Sequence, residues 1–315
     1  IITVYIGELV WSSREKRTDL ILDSMAVRDW VLFLPKVFSI LLILISIYLM
    51  NMLIALGFQL FYGTPIEFSL YWKMMLIHLS DIFVYVGLSF FIHILINNKY
   101  LSHAVFIGLF MGIGFLSKIG IEHPLLRFNE GAYTHYSDMN GFGNSLEPWL
   151  WYKLYWTLFS FILLSLVYLI KVRGSDSNLL SRIRKAKHNL SLTFGIVSGV
   201  MVLGFIGSGS VIFYHTNILK EFVTKKTQLK RSADYEKVYS KYKKMPTPKY
   251  TNVYYEVDFY PEDYSADFSG KLTMQNKTSV EIDTLILDFN KYLDYSKINL
   301  SVDNEIYLCR IKKRA

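Results

Sequence analysis

ELVWSSREKRTDLILDSMAVRDWVLFLPK (Glu8–Lys36) is dense in charge, and its end overlaps an apolar run, Val31–Leu60, in which Lys36 is the lone charged residue. Charge up to a boundary and then almost none is the pattern of a chain leaving water for a bilayer. Within the stretch, Leu20, Ile21, Met25 and Val27 share part of a helix face, and Arg14, Glu15, Lys16, Arg17, Asp19 and Asp23 fall mostly elsewhere. Residues 1–36 are therefore expected to be a cytoplasmic amphipathic segment that orients the first span or docks a cytoplasmic partner. Ile1–Ile6 reads as the tail of an earlier span, and the chain as a piece of a longer one.

The rest of the chain agrees with a membrane setting. Of its 315 residues, 52% are hydrophobic and 19% charged, whereas soluble domains carry about 25% charged residues. A span needs about 20 apolar residues. Five runs qualify: 31–60, 73–97, 101–120, 152–172 and 192–214, which together with 121–151 make a transmembrane region over 31–215. The last of these runs contains Gly195, Gly199, Gly204, Gly207 and Gly209, small residues that let helices approach closely in lipid. The fold class expected is membrane all-α, five spans, followed by a charged helix over 216–249 and the start of an antiparallel β domain over 250–315.

Lys and Arg in the short loops orient the spans. Arg14, Lys16, Arg17, Arg28 and Lys36 precede the first, Lys99 lies between the second and third, and Lys171, Arg173, Arg182, Arg184, Lys185 and Lys187 lie between the fourth and fifth. The alternate loops, 61–72 and 121–151, contain Arg127 alone. Residues before 31 are thus expected in the cytoplasm and residues after 215 outside, with Lys73, Lys118 and Lys153 snorkelling from span ends. The net charge of +8 is explained by these flanks and by anionic lipid, with no nucleic acid partner.

Intramembrane ionisable groups are the main chemical signal, because charge at that depth is costly and often functional. His78, Asp81 and His93 lie in the second run, and His78 and Asp81 at i, i+3 can pair. In the outer loop, YSDMNGFG (Tyr136–Gly143) brings Tyr136, Asp138 and Asn140 into a turn-rich lid, and His123, His135, Asp138 and Glu147 match no metal spacing. Trp149, Trp151, Tyr152, Tyr155 and Trp156 form an aromatic belt where the chain re-enters the membrane. Tyr235, Tyr239 and Tyr242 make one stripe on the charged helix. From Tyr250 the period becomes two, with strands expected at 250–259, 268–274 and 282–289. No G-x-x-x-x-G-K-[ST] and no H-E-x-x-H occurs, so the chain itself has no phosphate cradle and no zinc peptidase motif. Cys309 is the one cysteine, which excludes a disulfide within the chain.

Two stretches carry a family resemblance. Glu8, Arg14, Glu15, Lys16, Leu20, Leu22, Val27 and Lys36 match the cytoplasmic coupling segment of type-2 ABC transporter permeases, with Ala26 where that family has proline. Tyr250–Phe289, through Asp258, Pro261, Phe268, Ser269, Gly270, Asp283 and Leu285, is similar to the start of the N-terminal β domain of aminopeptidase N-like zinc metallopeptidases. Their order resembles a permease–aminopeptidase fusion of Bacteroidetes-type bacteria. The resemblance implies a permease subunit of an exporter in the bacterial inner membrane, with two further spans upstream. Arg14, Glu15, Lys16, Arg17, Asp19 and Asp23 would meet a separate ABC ATPase, and a second permease half or a homodimer would complete the pathway. ATP would act only through that partner, no cofactor belongs to this chain, and zinc would belong to the full-length protein. A membrane-anchored zinc aminopeptidase and a membrane scaffold without transport are the alternatives.

Overall fold

The computed structural model describes residues 2–25, 27, 29–171, 179–186, 191–243, 245–262, 265–282, 299–302 and 305–308. The chain divides into two compact units, Ile1–Leu229 and Lys230–Ala315, taken separately below.

The first unit is helical: α1 (Ile2–Glu15), α2 (Asp19–Ser24), α3 (Asp29–Tyr62), α4 (Phe68–Leu95), α5 (Lys99–Phe115), α6 (Leu146–Ile170), α7 (Leu179–Ala186), α8 (Leu192–Phe213) and the start of α9 (Lys225–Tyr239). Among the described residues, five helices are long and apolar enough to cross a membrane, centred on α3, α4, α5, α6 and α8. Local signals fix their ends. Asn98 caps α5 by accepting from the Leu101 amide at 3.0 Å, and Ser191 caps α8 by accepting from Phe194 at 3.2 Å. A turn of 3₁₀ helix continues α5 and stops at Gly120, whose φ of +94° suits glycine. Pro35 falls in the second turn of α3, where it withdraws one backbone donor.

α4 is the centre of the bundle, and α1 packs against it. Ile6 and Val10 of α1 join Val37, Ile40 and Leu44 of α3, Val86 and Phe90 of α4, and Leu164 and Val167 of α6 in one buried cluster. The charged stretch is therefore not one amphipathic segment. Its first part continues a helix whose Thr3, Ile6, Gly7 and Val10 face inward. A turn at Lys16–Thr18 follows, with Arg17 at φ 55°, and then the short α2.

Lipid offers no hydrophobic gain for pairing apolar helices, so close backbone approach and hydrogen bonds must hold them. The α4–α6 crossing has both: Gly87 lies against Ser160, whose hydroxyl donates to the Phe83 carbonyl at 3.2 Å. On α8, Gly204 meets Leu158 and Gly209 meets Tyr155, while a Cβ at Gly195, Gly199 or Gly207 would find open space. Phe205 stacks on Tyr155 with centroids 4.4 Å apart. Two of the five glycines thus serve the α6–α8 contact.

In the second unit, β1 (Lys249–Tyr260) pairs antiparallel with β2 (Ser265–Gln275), with a bulge between Tyr250 and Asn252, and β3 (Asn299–Val302) pairs with β4 (Glu305–Leu308). Gly270 faces Tyr255 across the first ladder. The strand expected at 282–289 lies, from 283 onward, outside the described residues. The tyrosine stripe of α9 stacks on itself, Tyr235 on Tyr239 at 4.6 Å and Tyr239 near Tyr242 at 6.3 Å.

Candidate functional site

Polar side chains inside the helical unit gather at its two ends. At the end carrying loop 121–151, Asp81 of α4 forms an ion pair with Lys153 of α6. Asn129 closes over it: its amide donates to the Asp81 carbonyl at 3.1 Å, and its Oδ1 accepts from Lys153 at 3.0 Å. Asn129 adopts φ 58°, a left-handed conformation that asparagine tolerates. Phe128 beside it packs among Tyr85, Trp156 and Phe159. The Trp156 indole donates to the Glu130 carbonyl at 2.8 Å, and Arg127 pairs with Glu130 at 2.8 Å. A chain segment outside the helices is thereby stapled onto two of them.

This corrects two expectations. Asp81 pairs with Lys153 on another helix, and His78 instead stacks on Tyr48 of α3 at 5.9 Å and 18°. Lys153 does not snorkel; its side chain is 10% exposed. Of the aromatic belt, Trp149, Tyr152 and Trp156 are buried and Trp151 is exposed.

The Tyr136–Gly143 turn is exposed. Ser137 and Gly141 exchange backbone bonds at 2.8 and 2.7 Å. The Tyr136 hydroxyl donates to Glu67 at 3.1 Å, and that bond pushes its pKa up. Asp138 and Asn140 lie on the exposed turn, with the Asn140 amide against Gly143. His123 is engaged by its own neighbours: Nδ1 accepts from the Leu125 amide at 3.2 Å, and Nε2 lies 2.9 Å from the Asn217 amide. Burial pulls its pKa down. Among the described residues, no group of three or more His, Cys, Asp or Glu gathers to hold a metal ion.

At the opposite end, Lys99 at the start of α5 bridges Glu8 and Glu15 of α1, at 2.6 and 3.0 Å. The hydrogen bond from Lys99 holds the Glu8 carboxyl below its ordinary pKa. One turn inward, His93 is 1% exposed. Its Nδ1 lies 2.8 Å from the Ser89 carbonyl, so that nitrogen carries a proton, and its Nε2 lies 3.2 Å from His103 Nδ1. Thr3 of α1 also reaches His103, at 3.2 Å, and Gly7 leaves room for both rings. His93 therefore belongs to a junction of α1, α4 and α5 near the C-terminus of α4, whereas Asp81 lies at the middle of that helix.

Arg182 of α7 is 3% exposed and donates to the Ile94 carbonyl at 2.9 Å. It satisfies an orphan carbonyl at the C-terminus of α4 and complements the helix dipole there.

The coupling candidates separate by exposure. Lys16 and Arg17 are exposed at the turn, and Glu15 is held by Lys99. Arg14 and Asp19 are half-buried and line a cavity of about 140 Å³. Asp23 belongs to α2, and its side chain lies outside the described residues. Sequence reasoning missed Lys153 as the partner of Asp81, missed Asn129 and His103 altogether, and took Arg182 only as a loop cation. A basic residue on the short segment between the fourth and fifth spans was the one local signal for Arg182.

Compared with protein-family models, with curated proteins and with solved structures, the chain matches none of them.

Proposed function

We propose that the chain is a permease subunit of an ABC-type exporter, worked by a separate ATPase that docks on the corner between α1 and α2. The observation that carries this is mechanical. The exposed Lys16–Thr18 turn is the direct continuation of α1, whose Ile6 and Val10 are built into the bundle core. Force applied at the turn passes along a helix that touches α3, α4 and α5. A peripheral segment lying on the membrane would not transmit motion in this way. A simple tether, the rival reading, has no use for a packed multi-helix core with ion pairs at both ends.

The docking surface is tested by reversing charge where it is exposed. Lys16→Glu with Arg17→Glu should remove the ATPase that co-purifies with the protein from its own host. Unaltered co-purification would exclude this corner as the contact.

In this reading the basic end faces the cytoplasm, and residues after 215 form an extracytoplasmic, peptidase-like β domain. The support is the Lys and Arg asymmetry of the loops. A reporter active only in the cytoplasm, fused after Lys249, should be silent, and a strong signal would reverse the topology.

A further inference from the structure

Three polar atoms from three helices converge at the junction of α1, α4 and α5. His93 Nε2 and Thr3 Oγ1 each lie 3.2 Å from His103 Nδ1. Thr3 is 5% exposed and His93 1%, while His103 is half-buried and leaves a way in from outside. Gly7 permits the convergence, since a Cβ there would stand 2.8 Å from His103 Nε2 and 3.2 Å from His93 Nε2. The Ser89 carbonyl holds the Nδ1 proton of His93, so a neutral His93 turns its Nε2 lone pair to the meeting point. One hydrogen on His103 Nδ1 then has to serve both that lone pair and the Thr3 oxygen, at two long distances.

We propose that this point is a metal site, in which His93 Nε2, His103 Nδ1 and the Thr3 hydroxyl bind a divalent first-row ion of the class imidazole favours, such as Zn²⁺, with water as the fourth ligand. At zinc–nitrogen bonds of about 2.0–2.1 Å and a tetrahedral angle, two ligand nitrogens stand about 3.3 Å apart. The two rings already hold theirs at 3.2 Å. A histidine that ligates a metal almost always donates its other ring N–H to a carbonyl or carboxylate, and His93 does so to Ser89. The ion takes the place of the shared hydrogen and meets all three lone pairs. Lys99 nearby is paired with Glu8 and Glu15, so its charge is offset. A hydroxyl is a weaker ligand than a third histidine or a carboxylate, so the ion exchanges with solution. When bound, it ties the first turn of α1 to α4 and α5. The proposal does not rest on the exporter reading, and its test reads metal alone.

The test uses the whole chain in detergent, carrying a tag without histidine and stripped of metal with a chelator. Zn²⁺ is titrated in by calorimetry, and Co²⁺ in a parallel sample is followed by its visible spectrum. Zn²⁺ should bind, and Co²⁺ should develop the intense bands of a four-coordinate ion. His103→Gln should weaken Zn²⁺ binding at least about tenfold. Thr3→Val, which keeps the shape, should weaken it by less, and His135→Gln, on the exposed outer turn, should leave it unchanged. No binding of Zn²⁺ up to millimolar concentration would overturn the proposal, because the rings would then share a hydrogen bond and nothing more. So would the pale spectrum of six-coordinate Co²⁺, or binding that survives His103→Gln or falls as far in His135→Gln. If His103→Gln does not fold, undiminished binding in Thr3→Val overturns the proposal in its place.

Discussion

Asp81→Leu is expected to destabilise the helical unit by about 3–5 kcal/mol, the range for removing one partner of a buried ion pair. Lys153→Met should cost less, about 1–2 kcal/mol. The asymmetry comes from exposure. The Lys153 side chain is 10% exposed and that of Asp81 36%. Without Asp81, the ammonium keeps the Asn129 oxygen and has little access to water. Without Lys153, the carboxylate can still hydrate. The double variant, Asp81→Leu with Lys153→Met, should return to within about 1 kcal/mol of the unmodified protein, because leucine and methionine leave no charge unpaired. Unfolding midpoints of the purified chain in mixed micelles measure all three. Additive losses in the double variant would show that the two residues act independently.

Gly87→Val is expected to have a comparably large effect through shape alone. A Cβ at Gly87 would come 3.0 Å from the carbonyl oxygen of Ser160 and closer still to its hydroxyl. The hydroxyl can rotate; the backbone oxygen cannot. The helices must part, which breaks the Ser160 bond to Phe83 and loosens the cluster around Phe90 and Leu164. Alanine should cost about 1–3 kcal/mol, the range for overpacking, and valine more. Gly108 on α5 supplies the control, since a Cβ there meets nothing within 4 Å. Gly108→Ala should be neutral or stabilising by up to about 1 kcal/mol through helix propensity. The same unfolding midpoints apply, and equal losses at Gly87 and Gly108 would remove close packing as the cause.

The spans were legible because an uninterrupted apolar run of span length has few other uses. Their ends were less so. α6 begins at Leu146, well before the expected Tyr152, since Pro148 is tolerated in a first turn where amides have no intrahelical partner. α1 was misread for a specific reason. Thr3, Ile6, Gly7 and Val10 have helical spacing, but the charges from Glu8 onward dominate the same stretch and draw attention to the surface. The glycines of α8 show a different limit. A helix apolar all round has no moment to mark its inner face, so nothing in the sequence separates Gly204 and Gly209 from Gly195 and Gly199. Long-range polar partners were not legible at all. Asp81 and Lys153, or Arg182 and Ile94, meet only because α4, α6 and α7 pack as they do, and no local pattern encodes that meeting.

α3 has 34 residues, about 51 Å at the rise of an α-helix, against a hydrocarbon core of about 30 Å. Its buried residues, Val37, Ile40 and Leu44, lie in its first half. Beyond them Met50, Leu53, Phe58 and Phe61 are exposed, the last 82% so. The far half is the more exposed one, and Tyr48 at its start stacks on His78 of α4. Hydrophobic mismatch then acts most strongly on this helix: a thin bilayer leans it over and a thick one lets it stand. Val37–Leu44 is the pivot, and α1 rests on the same pivot. Bilayer thickness thus becomes a mechanical input to the bundle.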